Sequence, residues 1–295
     1  MLDPKNKLGE REQYYKNILQ SKPSIIWKNF TDGHNLCVRL FFPEGHHEEN
    51  DIPSLAFFHA GMWITDNSLH LIAWALHLNS IGIAVLIPEY RTHQCYDITA
   101  ADILQDAQDF WIWISRNASP LGLDPSNITL AGVEVGGLMA LHAAMPRLEK
   151  KKKWLPWLWR KPSIMINQPA ALAIFRSVID LEMPEAQMLN IKEEISDYAD
   201  INPIRRLSKD MPPIFIAHGD LDPLQDCETS DWFGHEWHHL GNPTSVFIAP
   251  RVDHTLMDFQ INPLIFEQMI ISWQSFMAEQ GLWPEVTEDA RGIIY

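Results

Sequence analysis

The 295-residue chain carries 23 Lys and Arg against 38 Asp and Glu, a net charge of −15. That acidity excludes the basic footprint of a nucleic-acid binder and opposes adhesion to anionic membranes. The apolar fraction of 46% is ordinary for a folded protein with a substantial core, and no run approaches the ~18 apolar residues of a spanning helix.

The start, Met1 to Lys7, is polar and has no apolar leader. Three widely spaced cysteines, Cys37, Cys95 and Cys227, do not suggest a disulfide framework. These features predict a cytoplasmic protein without stable membrane insertion. Oligomeric state, a homodimer included, stays open.

Apolar runs alternate with helical patterns, the rhythm of a mostly parallel α/β sheet flanked by helices. Leu36 to Phe42 reads as an early strand and Ser54 to His59 as a buried one. Leu69 to Ser80 has helical spacing, Ile83 to Ile87 is a strand stopped by Pro88, and Asp102 to Arg116 is an amphipathic helix. Asn127 to Ala131 is a strand, and Gly136 to Met145 is the helix after it. Ser163 to Ile166, Pro213 to Ala217 and Ser245 to Ala249 read as later strands, with a closing helix over Asn262 to Glu279. Segments 8–30 and 170–208 fit this rhythm poorly and are read as a small helical lid on a single domain, residues 1–295. In such sheets ligands bind beside the carboxyl ends of the strands.

Between the strand at 127–131 and its helix lies Ala131-Gly-Val-Glu-Val-Gly-Gly137. A Gly-x-Nuc-x-Gly turn from strand to helix is a nucleophile elbow, with Gly132 and Gly136 as its glycines. The central residue is Glu134, where an esterase would have serine.

Further segments come in a telling order. They are Phe57-Phe-His59-Ala60-Gly61-Met62, Pro88-Glu-Tyr-Arg91, Gly122 to Gly132, His218-Gly-Asp-Leu-Asp222, and Val252-Asp-His254. Taken together, the chain from about residue 36 onward resembles the hormone-sensitive-lipase and plant-carboxylesterase branch of the α/β-hydrolase family. The resemblance implies an α/β-hydrolase fold, Asp222 as the triad acid and His254 as its histidine. It also implies an oxyanion hole of backbone N–H groups around Ala60, Gly61 and Met62 and from Val135. Two departures stand out. The family's Gly-Asp-Ser-Ala-Gly is here Gly132-Val-Glu-Val-Gly136, and Ala60 and Met62 replace two glycines of the oxyanion loop.

Glutamate attacking an ester would give an anhydride, a poor route compared with the acyl-enzyme of serine. The main expectation is therefore acid/base chemistry by Glu134 and His254, with Asp222 orienting the imidazole. Isomerisation, elimination, decarboxylation or cyclisation of a small hydrophobic metabolite would suit such a pair, in specialised metabolism and without a cofactor. Two alternatives stay open. One is a hydrolase of an ester, lactone or epoxide using Glu134 as nucleophile or base. The other is an inactive small-molecule binder.

Three further signals compete. His235-Glu-Trp-His-His239 matches a zinc pattern but reads better as an exposed helix, so no metal is expected. Lys150 to Lys161, with Trp154, Trp157 and Trp159, could touch a membrane but reads as a solvated loop broken by Pro156. His59 and Trp63 flank the oxyanion-like loop and are expected to line an aromatic pocket suited to a polycyclic or polyketide-like substrate.

Overall fold

A computed structural model describes residues 4–145, 168–183, 201–258 and 261–285. Its centre is an eight-stranded sheet, β1 (Ser24–Asn29), β2 (Asn35–Phe41), β3 (Ile52–Phe58), β4 (Ala84–Pro88), β5 (Leu123–Val133), β6 (Ala171–Phe175), β7 (Ile214–Gly219) and β8 (Thr244–Ala249). They lie in the order β1-β2-β4-β3-β5-β6-β7-β8. Only β2 pairs antiparallel, with β1 and β4. The other pairs are parallel. The fold is the expected α/β-hydrolase fold.

Every residue of β4, β6 and β7 is buried, as parallel strands covered on both faces must be. Alternate side chains feed two cores, as the period of two requires. Leu55, Phe57, Val85, Ala173 and Phe215 join one core with α2 (Ile72–Ser80) and α6 (Pro263–Glu279). Ala56, Phe58, Leu86, Leu172 and Ile216 join the other with α3 (Ala100–Asn117), α4 (Val135–Ala144) and α5 (Cys227–His239). A capping box fixes the start of α3: the Thr99 hydroxyl accepts from the Asp102 N–H, and the Asp102 carboxylate accepts from the Thr99 N–H.

The lid expectation needs correction on both segments. Within 8–30, Ser24–Asn29 is the edge strand β1, paired with β2. Its mixed burial explains why its period is weak in the sequence. The helix before it, α1 (Pro4–Ser21), packs through Tyr15, Ile18 and Leu19 on the core beneath α2. Within 170–208, Ala171–Phe175 is the internal strand β6. The strand expected at 163–166 lies outside the described residues, as do 184–200 of the lid segment and the tryptophan-rich stretch 150–161. Among the described residues no helix is long and apolar enough to cross a membrane.

Candidate active site

Five neighbouring strands, β3 to β8 without β4, each end at the site, beside their carboxyl ends. β5 turns sharply into α4 at Glu134, whose φ of 53° is left-handed for a residue with a side chain. The main chain holds it there. The Glu134 N–H donates to the Phe175 carbonyl at 3.1 Å, and its own carbonyl accepts from Gly137 and Val178 at 3.1 and 3.3 Å. The two glycines of the turn have no room for a side chain. A Cβ on Gly132 would lie 2.0 Å from the Gly136 carbonyl carbon, and one on Gly136 would lie 2.3 Å from the Phe58 oxygen.

Three side chains from three strands then meet in line. His254 Nε2 is 2.9 Å from Glu134 Oε1, and His254 Nδ1 is 2.7 Å from Asp222 Oδ2. Behind Asp222, His218 brings its Nε2 to 3.3 Å from the same Oδ2 and bonds Ser230 through Nδ1 at 2.7 Å. The Asp222 side chain is fully buried, and Glu134 is buried.

These contacts set the charges. Burial pushes the Asp222 carboxyl up, but the nearby His218 ring and the His254 hydrogen bond outweigh it and hold it far below the usual range. Burial likewise works against ionised Glu134, and the His254 hydrogen bond and the Arg176 charge reverse it, leaving its value lowered. For His254, burial favours the neutral ring, yet hydrogen bonds to Asp222 and Glu134 raise its value. The two carboxylates thus favour the protonated form of the ring between them. A ring in that state is a proton donor and not a base.

The loop after β3 bends over this line. Gly61, at φ 122°, brings its N–H to 3.4 Å from Glu134 Oε2. A Cβ there would strike the Thr65 carbonyl oxygen at 2.2 Å. Val135 opens α4, so its N–H is one of the first-turn donors that no helical carbonyl reaches. Ala60 lines the cavity beside the site. Met62 and Trp63 both have left-handed φ, 51° and 59°, and lead the loop away.

Two expected pocket residues are corrected. His59 is buried under the loop, its ring stacked on Tyr90 at 4.2 Å, and the Tyr90 hydroxyl donates to the His59 carbonyl at 2.9 Å. Trp63 is fully buried in the core with Phe58 and Phe110. Neither lines the cavity. His59 and Tyr90 brace the oxyanion-like loop from below, while Arg91 reaches fully buried Asp106 through its backbone N–H and its guanidinium. The Glu-Tyr-Arg segment is thus a support for the site.

The cavity itself holds about 190 Å³. Leu71, Val133 and Met257 form apolar wall, and Asn67, His70, Thr255 and Asp258 add polar groups near His254. That volume lies below the ~300–1,000 Å³ of usual small-molecule sites, which does not suit the expected polycyclic substrate. Arg176, at the end of β6, also faces the cavity and was missed in the sequence. Its Nη2 lies 3.2 Å from Glu134 Oε1. A charged residue directly after the apolar run 170–175 is the signal that could have found it. As for the zinc-like motif, His235 and His239 are exposed on α5, and among the described residues no three metal-ligating side chains converge.

Residues 40–236 match the BD-FAE family. An ethyl acetate hydrolase of Pseudomonas putida is 31% identical over 77% of this chain and 73% of its own length. A Phoma protein named "Probable carboxylesterase M8" is 23% identical over 75% of this chain and 84% of its own. The propionate-bound esterase 2 of Thermogutta terrifontis superposes with a TM-score of 0.79, at 20% identity over 92% of this chain and 99% of that one. That last likeness concerns the fold alone. The named relatives overturn the expectation of isomerisation, elimination, decarboxylation or cyclisation, and lend no support to a role in specialised metabolism. Their names carry ester hydrolysis, the direction of the hydrolase alternative. With its sheet order, its strand-end site and its match over two thirds of its length, this chain belongs to the BD-FAE family, on the esterase branch of the α/β-hydrolase fold.

Proposed function

We propose that this protein hydrolyses small esters by direct attack of water, with Glu134 in the place of the serine nucleophile and acting as general base. The observation that carries the proposal is the line Asp222–His254–Glu134, with contacts of 2.7 and 2.9 Å. The relatives, an ethyl acetate hydrolase among them, support an ester as substrate, and a cavity of about 190 Å³ supports a small one.

The chemistry follows from the charges. Glu134 takes a proton from water as the oxygen adds to the ester carbonyl. The oxyanion that forms is met by the N–H groups of Gly61 and Val135, once the Glu134 carboxylate has left Gly61. The His254 imidazolium gives its proton to the departing alkoxide, and Asp222 holds the ring throughout. Glu134 then passes its proton to His254, and the site is restored with one water consumed and one acid and one alcohol released.

The test is acid-quenched turnover of a short aryl ester, read by intact mass, beside Glu134→Gln. Turnover by wild type, loss of it in Glu134→Gln and no acyl group on the protein support water attack. An acyl adduct on Glu134 would replace the base by a nucleophile. If no short ester turns over while product acids still bind, the protein is a binder.

A further inference from the structure

By the resemblance, a serine hydroxyl is expected at the elbow, and Glu134 puts a negative charge in its place. Glu134 is only 8% exposed, and a buried carboxylate needs a partner. His254 supplies one, but its charge is already shared with Asp222 at 2.7 Å. The second cation near Glu134 is Arg176.

Arg176 is placed by the main chain. It follows β6 directly, at a left-handed φ of 40°, and its N–H donates to the Ala217 carbonyl on β7 at 2.7 Å. Such a backbone persists only where its surroundings enforce it, and residues held this way cluster at functional sites. The guanidinium then spans the site. Nη2 sits 3.2 Å from Glu134 Oε1, the same oxygen that meets His254, and Nη1 donates to the His254 carbonyl. A single side chain thus links the elbow after β5 to the loop after β8.

We propose that Arg176 is a positioning residue that seats the Glu134 carboxylate toward His254 and ties the elbow to the His254 loop. The role rests on the reading of Glu134 as the base. It assigns Arg176 no contact with substrate. The charged groups around the guanidinium are Glu134, Asp222, Asp258 and Asp253, with the His254 ring beside it. Its charge lowers the values of both Glu134 and His254.

The experiment compares wild type with Arg176→Met and Arg176→Lys, using carboxyl-labelled glutamate and NMR. Glu134→Gln identifies the Glu134 signal. In Arg176→Met, Glu134 is expected to titrate higher, and His254 as well, because the guanidinium charge that lowers both is gone. Ester turnover is expected to fall by up to about 100-fold, the scale of a misplaced reacting group, mostly in kcat. Arg176→Lys keeps the charge and is expected to recover most of the titration shift and less of the rate, because the fork is lost. An unchanged Glu134 titration in Arg176→Met overturns the proposal, as does a Lys variant no closer to wild type than Met. Should Arg176→Met not fold, the same comparison is made with Arg176→Gln. The titration needs no turnover. A protein that hydrolyses no ester but shows these shifts therefore sinks the hydrolase reading and leaves the role of Arg176 standing.

Discussion

The Oε2 atom of Glu134 lies 3.4 Å from the backbone nitrogen of Gly61, on the donor that a developing oxyanion would need. The resting carboxylate therefore stands where a substrate carbonyl would sit. Glu134→Ser clears that donor and supplies a hydroxyl beside His254. The variant is expected to acylate on Ser during turnover of a short aryl ester, as seen by intact mass after acid quench, whereas wild type stays unmodified. A folded serine variant that neither acylates nor hydrolyses would show that the donors of Gly61 and Val135 do not converge on a carbonyl.

The pH profile distinguishes the two chemistries by sign. In wild type, Glu134 must be ionised and His254 protonated. Glu134 titrates below its ordinary 4.5 and His254 above its ordinary 6.5. Hydrolysis is expected to hold across that window and to fall as pH rises through the raised His254 value. In Glu134→Ser the imidazole must be neutral to act as base, so its rate climbs with pH. Rate against pH for both proteins, on one substrate, checks this; two rising profiles would refute Glu134 as base.

Asp222 links catalysis to stability. Its carboxyl is held below the ordinary 3.8, so its contribution to stability is present above that pH and is lost as pH falls. The raised His254 value works the other way: its contribution is complete below about pH 6.5 and is lost as pH rises through the folded value. Asp222→Asn is expected to cut kcat by about 100-fold or more, because the ring loses its orienting acceptor. The variant should also flatten the dependence of melting temperature on pH at the alkaline side, where wild type declines.

Gly136→Ala tests the elbow. Its Cβ would meet the Phe58 carbonyl oxygen at 2.3 Å and backbone atoms cannot yield cheaply. A loss of about 2 kcal/mol or more is expected in denaturant unfolding, with hydrolysis abolished. A variant of wild-type stability would mean that β3 and α4 can part without consequence.

Asp106 is fully buried between Lys28 at 2.6 Å and Arg91 at 2.8 Å. Asp106→Ala removes the carboxylate they share while Lys28 keeps Asp109 at 2.7 Å and Arg91 keeps Asp102 at 3.3 Å, so a cost of about 1–3 kcal/mol is expected. Because Arg91 follows Tyr90, which braces His59, activity should fall at temperatures where the fold survives. Thermal melts and initial rates measured together check both effects.

The sequence was most legible where chemistry and period coincide. Glu134 was found from a strand-to-helix turn with two glycines, and Asp222 and His254 through the family resemblance of their segments; the three stand within hydrogen-bond reach. β6 was missed because 163–166 offers an equally apolar run, and Arg176 went with it, since a lone arginine has no motif. β1 was missed because its burial is mixed, as suits an edge. Trp63 was misplaced for a different reason. Two successive left-handed residues turn the loop inward, and backbone reversals of that kind leave no trace in hydropathy.

The backbone of the elbow is held through main-chain atoms: the Phe175 carbonyl, the Gly137 and Val178 N–H groups, and the two glycines with no space for a Cβ. These restraints do not depend on which side chain position 134 carries. The sheet therefore works as a socket with an exchangeable tip. A lineage can swap the reactive group there while the neighbouring acid and histidine stay in place, and what changes is the bond being made, not the ability of the chain to fold.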